Sequence, residues 1–204
     1  MPPLKKQAIY IIVPTIGLYI LIIILFLSTP FSSVANFFYR FGAIFGFTSM
    51  FVATIMTPFV VELYKIFGKP FVKIHHVYSI MGLLLVTLHP LIYAVSVDNI
   101  TVFIPDFTSW YGFWSLGGRL ALILIYLAVL GALLRKKMIK SWRFIHILNY
   151  IALFLAYVHG VLIGTDFRNI GILIIFTIMI ILSFGVLIIK RYLIYKRKKG
   201  KSKN

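Results

Sequence analysis

The chain has 204 residues, 61% of them hydrophobic, and a mean hydropathy of +1.02. Several apolar runs approach or exceed about 18 residues, the length at which a helix spans a bilayer, so a soluble globular domain is excluded. The 21 basic and 4 acidic residues give a formal charge of +17, and there is no cysteine, which excludes disulfides, thiolate metal sites, iron–sulfur clusters and covalently attached c-type haem.

The composition predicts an integral membrane protein of the all-α class. Strand alternation is absent, and only helices or closed barrels satisfy their backbone groups inside hydrocarbon. In a soluble protein the charge would point to nucleic acid, but no nucleic-acid-binding motif accompanies it. The charge falls in loops and in the tail, so anionic membrane lipids are the expected partner and nucleic acid is not.

Residues 8–27 predict the first span, kinked at Pro14. Its start resembles a signal peptide, but no convincing small-residue cleavage site follows. Residues 28–41 read as a loop with Pro30 and Arg40, and residues 42–67 as the second span, with Pro58 inside and Glu62 near its end. Gly68, Lys69 and Pro70 predict a tight connection. The third span is 73–97, with Pro90 expected to bend it near its outer end.

Residues 98–116 form the longest loop, with Phe103, Phe107, Trp110, Tyr111, Phe113 and Trp114. It reads as an aromatic belt at the membrane surface, or as a lid over an electron-acceptor site. The fourth span is 117–134 and ends in a basic run through Lys140; the fifth is 142–164. After a short loop at 165–169, the sixth span is 170–189, without charge or histidine, and its expected role is packing. The prediction is a six-helix bundle over residues 1–189 followed by a basic cytoplasmic tail over 190–204.

Eighteen of the basic residues lie at the amino terminus, in the second-to-third and fourth-to-fifth connections, and in the tail; the other three are Arg40, Arg119 and Arg168. The positive-inside rule then puts both termini in the cytoplasm of a multi-pass cell-membrane protein. The third and fifth helices both start on the inner side.

All five histidines lie on those two helices: His75, His76 and His89 on the third, His146 and His159 on the fifth. An ionisable side chain inside a span is costly and normally faces the bundle interior with a partner. His75 and His89 are 14 residues apart, close to four full turns, so they share a face about 21 Å apart along the axis. His146 and His159 are 13 apart, or about 20 Å. His75 and His146 therefore share an inner level, and His89 and His159 an outer one. A 13-residue step leaves the second pair roughly 140° apart around an ideal helix, so the fifth helix needs a bulge or kink, or its histidines need different rotamers. His76 would be 13 from His89 and on another face, and it reads as a polar residue at the headgroup boundary.

Two imidazoles at each level, with a gap between, suit a b-type haem. The iron takes one ring nitrogen and the other can bond a neighbour. The expectation is two b-type haems with His75, His89, His146 and His159 as metal ligands. A zinc site needs three or four converging ligands, and histidines about 20 Å apart on one helix cannot converge. Glu62, Asp98, Asp106 and Asp166 are the only acids, and none is paired in sequence, so no catalytic residue is assigned.

The stretches HHVYSIMGLLLVTLHP, GGRLALILIYLAVLGALLRKK and WRFIHILNYIALFLAYVHG, with their 14 and 13 spacings, resemble the ferric reductase transmembrane-domain family, which includes the NADPH oxidases. The resemblance covers the third to fifth helices. It implies a six-helix haem module, an oxidoreductase component carrying electrons from the cytoplasm to an outer acceptor. Family members often continue into a domain binding FAD and NADPH. This sequence shows no dinucleotide fingerprint such as GxGxxG after a strand, so the expected donor is a cytoplasmic flavoprotein, with FAD or another flavin on that partner, or a membrane quinol.

Haem propionates are anionic and call for cationic partners. Lys73 and Arg143 are the inner candidates, and Arg119, Arg40 and Arg168 the outer ones. Arg119 leads them, because it follows Gly117 and Gly118 at the start of a helix. Phe154 and Tyr157 lie between the two levels, where they pack or shape the gap. Two alternative readings remain. One is a haem-binding membrane subunit of a multi-subunit reductase, similar to the membrane subunit of the periplasmic methionine sulfoxide reductase system. The other is a haem-free scaffold or transporter, which predicts a colourless protein.

Overall fold

A computed structural model of the chain describes residues 6–67, 71–139 and 141–201. Among the described residues there is no strand, and five helices are long and apolar enough to cross a membrane. A shorter apolar helix of 17 residues accompanies them. The predicted tight connection at Gly68, Lys69 and Pro70 lies outside the described residues.

Helix α1, Lys6–Leu27, runs on through Pro14 as one element. Helix α2, Val34–Met56, starts eight residues before the predicted second span. Ser33 caps it, its hydroxyl accepting the Asn36 N–H at 3.0 Å. The predicted loop at 28–41 is therefore much shorter, and Arg40 is on a helix. Pro58 has no N–H and clashes with the carbonyl of the preceding turn, so α2 gives way to a 3-10 turn, Thr57–Phe59, and then to a separate helix α3, Val60–Phe67.

Helix α4, Phe71–Val97, is continuous through Pro90. It ends at Asp98, whose φ of 50° lets the Asn99 N–H reach back to the Ala94 carbonyl at 3.0 Å. The long loop holds a 3-10 turn, Ile100–Phe103, and a short helix α5, Trp110–Ser115, capped by Ser109. Helix α6 is Gly117–Leu133. The predicted fifth helix is two pieces, α7, Trp142–His146, and α8, Leu148–Ile163. Helix α9, Ile170–Lys201, extends 12 residues past the predicted end. The basic segment expected as a separate tail continues the helix, because Lys and Arg are good helix formers and no Gly or Pro intervenes before Gly200.

The chain packs as two antiparallel pairs. Helix α4 lies along α2 and α8 along α6, while α4 and α8 scarcely touch. Close approach in the first pair depends on glycine. A Cβ on Gly42 would stand 2.8 Å from the Leu85 carbonyl oxygen, and one on Gly46 would stand 2.8 Å from the Val86 nitrogen. Gly42 and Gly46 have the four-residue spacing that lets membrane helices meet backbone to backbone. Helix α2 is the most buried element, with Phe45, Phe47, Met50 and Phe51 in the core. The outward faces of α1, α4 and α9 expose rows of Ile and Leu, among them Ile16, Ile20, Ile80, Leu84, Ile174 and Ile178, and such faces suit lipid contact.

A polar clamp ties two connections together at one end of the bundle. The Arg40 guanidinium meets the Asp166 carboxylate twice, at 2.6 and 3.0 Å, with both side chains buried. It also donates to the Pro30 carbonyl, the Asn36 amide oxygen and Thr29. Its donors are committed inside the protein, which removes Arg40 as a free cation for a bound anion. At the opposite end Lys190 on α9 meets Glu62 on α3 at 2.5 Å.

Candidate metal centre

The four paired histidines share one arrangement. The Nδ1 of His75 is 3.1 Å from the Ala53 carbonyl oxygen, and that of His89 is 2.9 Å from Tyr39 O. The Nδ1 of His146 is 3.3 Å from Ala128 O, and that of His159 is 2.6 Å from Ser115 O. A carbonyl only accepts, so in the neutral ring Nδ1 carries the proton and Nε2 the lone pair. A metal-bound histidine is oriented in this way, its far N–H given to a carbonyl so that the ring is fixed and the ligating nitrogen faces the site.

Two of these carbonyls lack their usual helical donor because a helix is interrupted beside them. The Thr57 N–H turns to Thr54 O at the 3-10 turn before Pro58, and Ala53 O instead accepts the Thr57 hydroxyl at 3.1 Å beside the His75 ring. At the junction of α5 and α6 the Arg119 N–H turns to Leu116 O, which likewise releases Ser115 O. Tyr39 O and Ala128 O lie inside α2 and α6 and offer a second lone pair. The carbonyls repeat the histidine spacing. Tyr39 and Ala53 are 14 apart, as are His75 and His89; Ser115 and Ala128 are 13 apart, as are His146 and His159.

The distortion expected from the 13-residue step lies at Ile147, next to His146. The Ile147 N–H is shared between Arg143 O and Phe144 O at 3.2 Å each, and the Tyr150 N–H reaches only three residues back, to Ile147 O at 2.9 Å. Each residue wound this tightly turns about 20° further than in an α-helix.

The rings of His89 and His159 are 6.5 Å apart between centres and inclined at 66°. Two imidazoles joined by one metal, with bonds of about 2 Å, have ring centres roughly 6 Å apart. His146 lies within electrostatic range of His75. The helices that carry the two partners scarcely touch. Gly118 gives the seat of His159: a Cβ there would be 2.8 Å from the ring Cδ2 and 3.0 Å from Nε2. The Ser79 hydroxyl lies 3.4 Å from His75 Nε2, a long contact that a rotation of the serine releases. Among the described residues no three or more His, Cys, Asp or Glu side chains converge, so the histidines are paired rather than clustered. His76 is exposed and makes no such carbonyl contact among the described residues; its ring is 5.9 Å from that of His75. The four paired histidines thus each hold Nδ1–H against a carbonyl and leave Nε2 with its lone pair, the donor chemistry that imidazole ligation of a metal uses.

The cationic candidates take different positions. Arg119 donates to the Ile104 carbonyl at 2.7 Å, within electrostatic range of His159. Lys73 is exposed near the start of α4, and Arg143 is exposed with its guanidinium 5.4 Å from the Trp142 ring centre. Arg168 is exposed. Phe154 packs edge-on against Trp114 and Phe184, and the Tyr157 hydroxyl bonds Thr177 at 2.8 Å, so both are engaged in packing.

Sequence reasoning missed one bridge. Thr87 donates to Leu83 O, so Tyr126 must donate to Thr87, at 2.7 Å, and this bond joins α4 to α6 between the two histidine levels. No sequence signal marks it. The Gly42–Gly46 spacing, in contrast, was open to reading as a helix contact. No family model, curated protein or solved structure matches this chain.

Proposed function

We propose that the chain is a six-helix protein of the cell membrane, with both termini cytoplasmic, that transfers electrons across the bilayer through two b-type haems. In this reading it is a ferric-reductase-like membrane module. His75 and His146 bind at the inner level, His89 and His159 at the outer. The observation that carries the reading is the common Nδ1-to-carbonyl arrangement, present at all four paired histidines and missing at His76.

The chain's own part is positioning. Ala53, Tyr39, Ala128 and Ser115 fix the rings by their carbonyls, and glycines bring the helices of each pair close together. Arg119 at the outer face and Lys73 and Arg143 at the inner face supply charge for propionates. Bound there, a haem would supply a one-electron carrier. The donor is a cytoplasmic flavoprotein or a membrane quinol, and the acceptor lies outside.

The test is a reduced-minus-oxidised visible spectrum of the detergent-purified protein with haem quantitation. Two low-spin b haems per chain are expected, one lost with each histidine pair on substitution by alanine. A colourless protein from haem-replete cells overturns the reading.

A further inference from the structure

A groove on the lipid-facing side of α1, α2 and α4 has one polar and one apolar end. The polar end has a volume of about 430 Å³ and is lined by Tyr19, Ser49 and Tyr78 among apolar side chains. This is the size of a small-molecule site. Phe41 and Leu85 also line a second, wholly apolar hollow of about 200 Å³, which continues past Phe38 and Leu88. The lip residues Ile16, Ile20 and Met81 are exposed, so the groove opens towards lipid.

The hydrogen bonds at the polar end have a definite direction. Ser49 donates to the Phe45 carbonyl at 2.8 Å, which uses its single proton. The 2.8 Å contact between Tyr19 and Ser49 must then run from the Tyr19 O–H to Ser49. Tyr19 is left with a free acceptor oxygen. The Tyr78 hydroxyl makes no hydrogen bond among the described residues and keeps its proton to give. Tyr78, Tyr19 and Phe45 stack in sequence, with centres 6.3 and 6.4 Å apart and planes inclined at 27° and 20°. The polar end thus offers one acceptor, one donor and aromatic faces.

Its depth restricts the occupant. Counted from the inner ends of their spans, Tyr78, Ser49 and Tyr19 lie roughly 8 to 17 Å inside. A phosphate or ammonium head is not accommodated at that depth without a charged partner. The head is therefore uncharged, and the ring faces favour a planar one. We propose that this groove binds an isoprenoid quinone or quinol, its ring oxygens meeting Tyr19 and Tyr78 and its tail lying along Phe41, Leu85 and Leu88. A quinol hydroxyl donates to Tyr19, and a quinone carbonyl accepts from Tyr78. As the identity of an electron donor this rests on the reading above; as a binding site it does not depend on haem. Ser49 is one turn from Ala53, and Tyr78 one turn from His75, so the head lies beside the inner level.

The test is photolabelling in phospholipid nanodiscs with an azido derivative of ubiquinone-2, with the haem spectrum recorded on the same preparation. Saturable labelling of the Tyr19 and Tyr78 peptides is expected, displaced by excess ubiquinone-2 and not by dioleoylglycerol. Tyr78→Phe should weaken binding of ubiquinone-2 about three- to tenfold, and Tyr19→Phe should do the same for its reduced quinol and not for the quinone, each the effect of one lost hydrogen bond, while Tyr10→Phe on the exposed part of α1 changes nothing. Labelling that does not saturate and spreads over α1, α4 and α9 means an acyl-chain surface and overturns the proposal. Equal displacement by dioleoylglycerol, or unchanged ubiquinone-2 affinity in Tyr78→Phe, also overturns it. Saturable labelling of a colourless protein sinks the haem reading alone, and two haems without saturable labelling sink this one alone.

Discussion

The Nδ1 of His159 stands 2.6 Å from the carbonyl oxygen of Ser115, a carbonyl left free by the junction of α5 and α6. The ring is held from its other side by the absence of a side chain at Gly118. Gly118→Ala would put a methyl group 2.8 Å from Cδ2 and 3.0 Å from Nε2, and the ring would have to move. On the proposed two-haem reading, the expected result is loss of the outer haem with the inner one kept, so that haem content falls from two per chain to one, as for His159→Ala. Haem quantitation and the difference spectrum check this. Two haems with an unchanged spectrum would put Nε2 of His159 outside the binding site.

Glycines elsewhere divide by what surrounds them. Gly46→Ala places a Cβ 2.8 Å from the Val86 nitrogen and 2.7 Å from its Cγ1, and backbone gives way poorly. The α2–α4 contact should open at a cost of about 1–3 kcal/mol. Gly17 has nothing within 4 Å of its Cβ position, so Gly17→Ala should be neutral or stabilise by up to about 1 kcal/mol through helix propensity. Thermal unfolding in one detergent compares the two. Equal destabilisation would mean that the α2–α4 seam has no special need of glycine.

The histidine pattern was legible because it is one of period and distance. Steps of 14 and 13 residues on parallel helices fix two levels, and the mismatch of the second step pointed to a distortion that the chain has at Ile147. What fixes the rings was not legible, because all four partners are backbone carbonyls and carry no residue identity. The start of α2 was misplaced for a related reason. Arg40 reads as a loop residue until its carboxylate partner is found 126 residues further on. The helical course of residues 190–201 was hidden by composition, since the same lysines serve a tail or a helix end equally well.

Removing one partner of the Arg40–Asp166 pair should cost more than removing both. Asp166→Asn leaves a buried guanidinium without its counter-charge, a loss of about 3–5 kcal/mol. The double variant Arg40→Met, Asp166→Leu removes both charges and should recover most of that loss. Denaturation midpoints for the three proteins decide it. A double variant no more stable than Asp166→Asn would mean that the two charges are not coupled.

Asp106 makes the outer loop sensitive to acid. The Thr108 hydroxyl and the Thr108 N–H both donate to its Oδ1, at 2.6 and 2.8 Å, and with the Arg119 charge they hold the carboxyl below its ordinary value of 3.8. A depressed folded value stabilises the turn above the unfolded pKa, and the contribution is lost as pH falls through the folded one. The emission of Trp110 and Trp114, on the adjoining α5, should therefore stay constant from pH 7 to about 5 and change only below the ordinary carboxylate range. Thr108→Val removes the hydroxyl donor and should move the change to higher pH, whereas Asp106→Asn should abolish it. A midpoint unmoved by Thr108→Val would show that the hydroxyl does not hold the carboxylate. Helix α5 ends in Ser115, so on the proposed two-haem reading the spectrum of the outer haem should shift over the same acid range as the tryptophan emission, and that of the inner one should not.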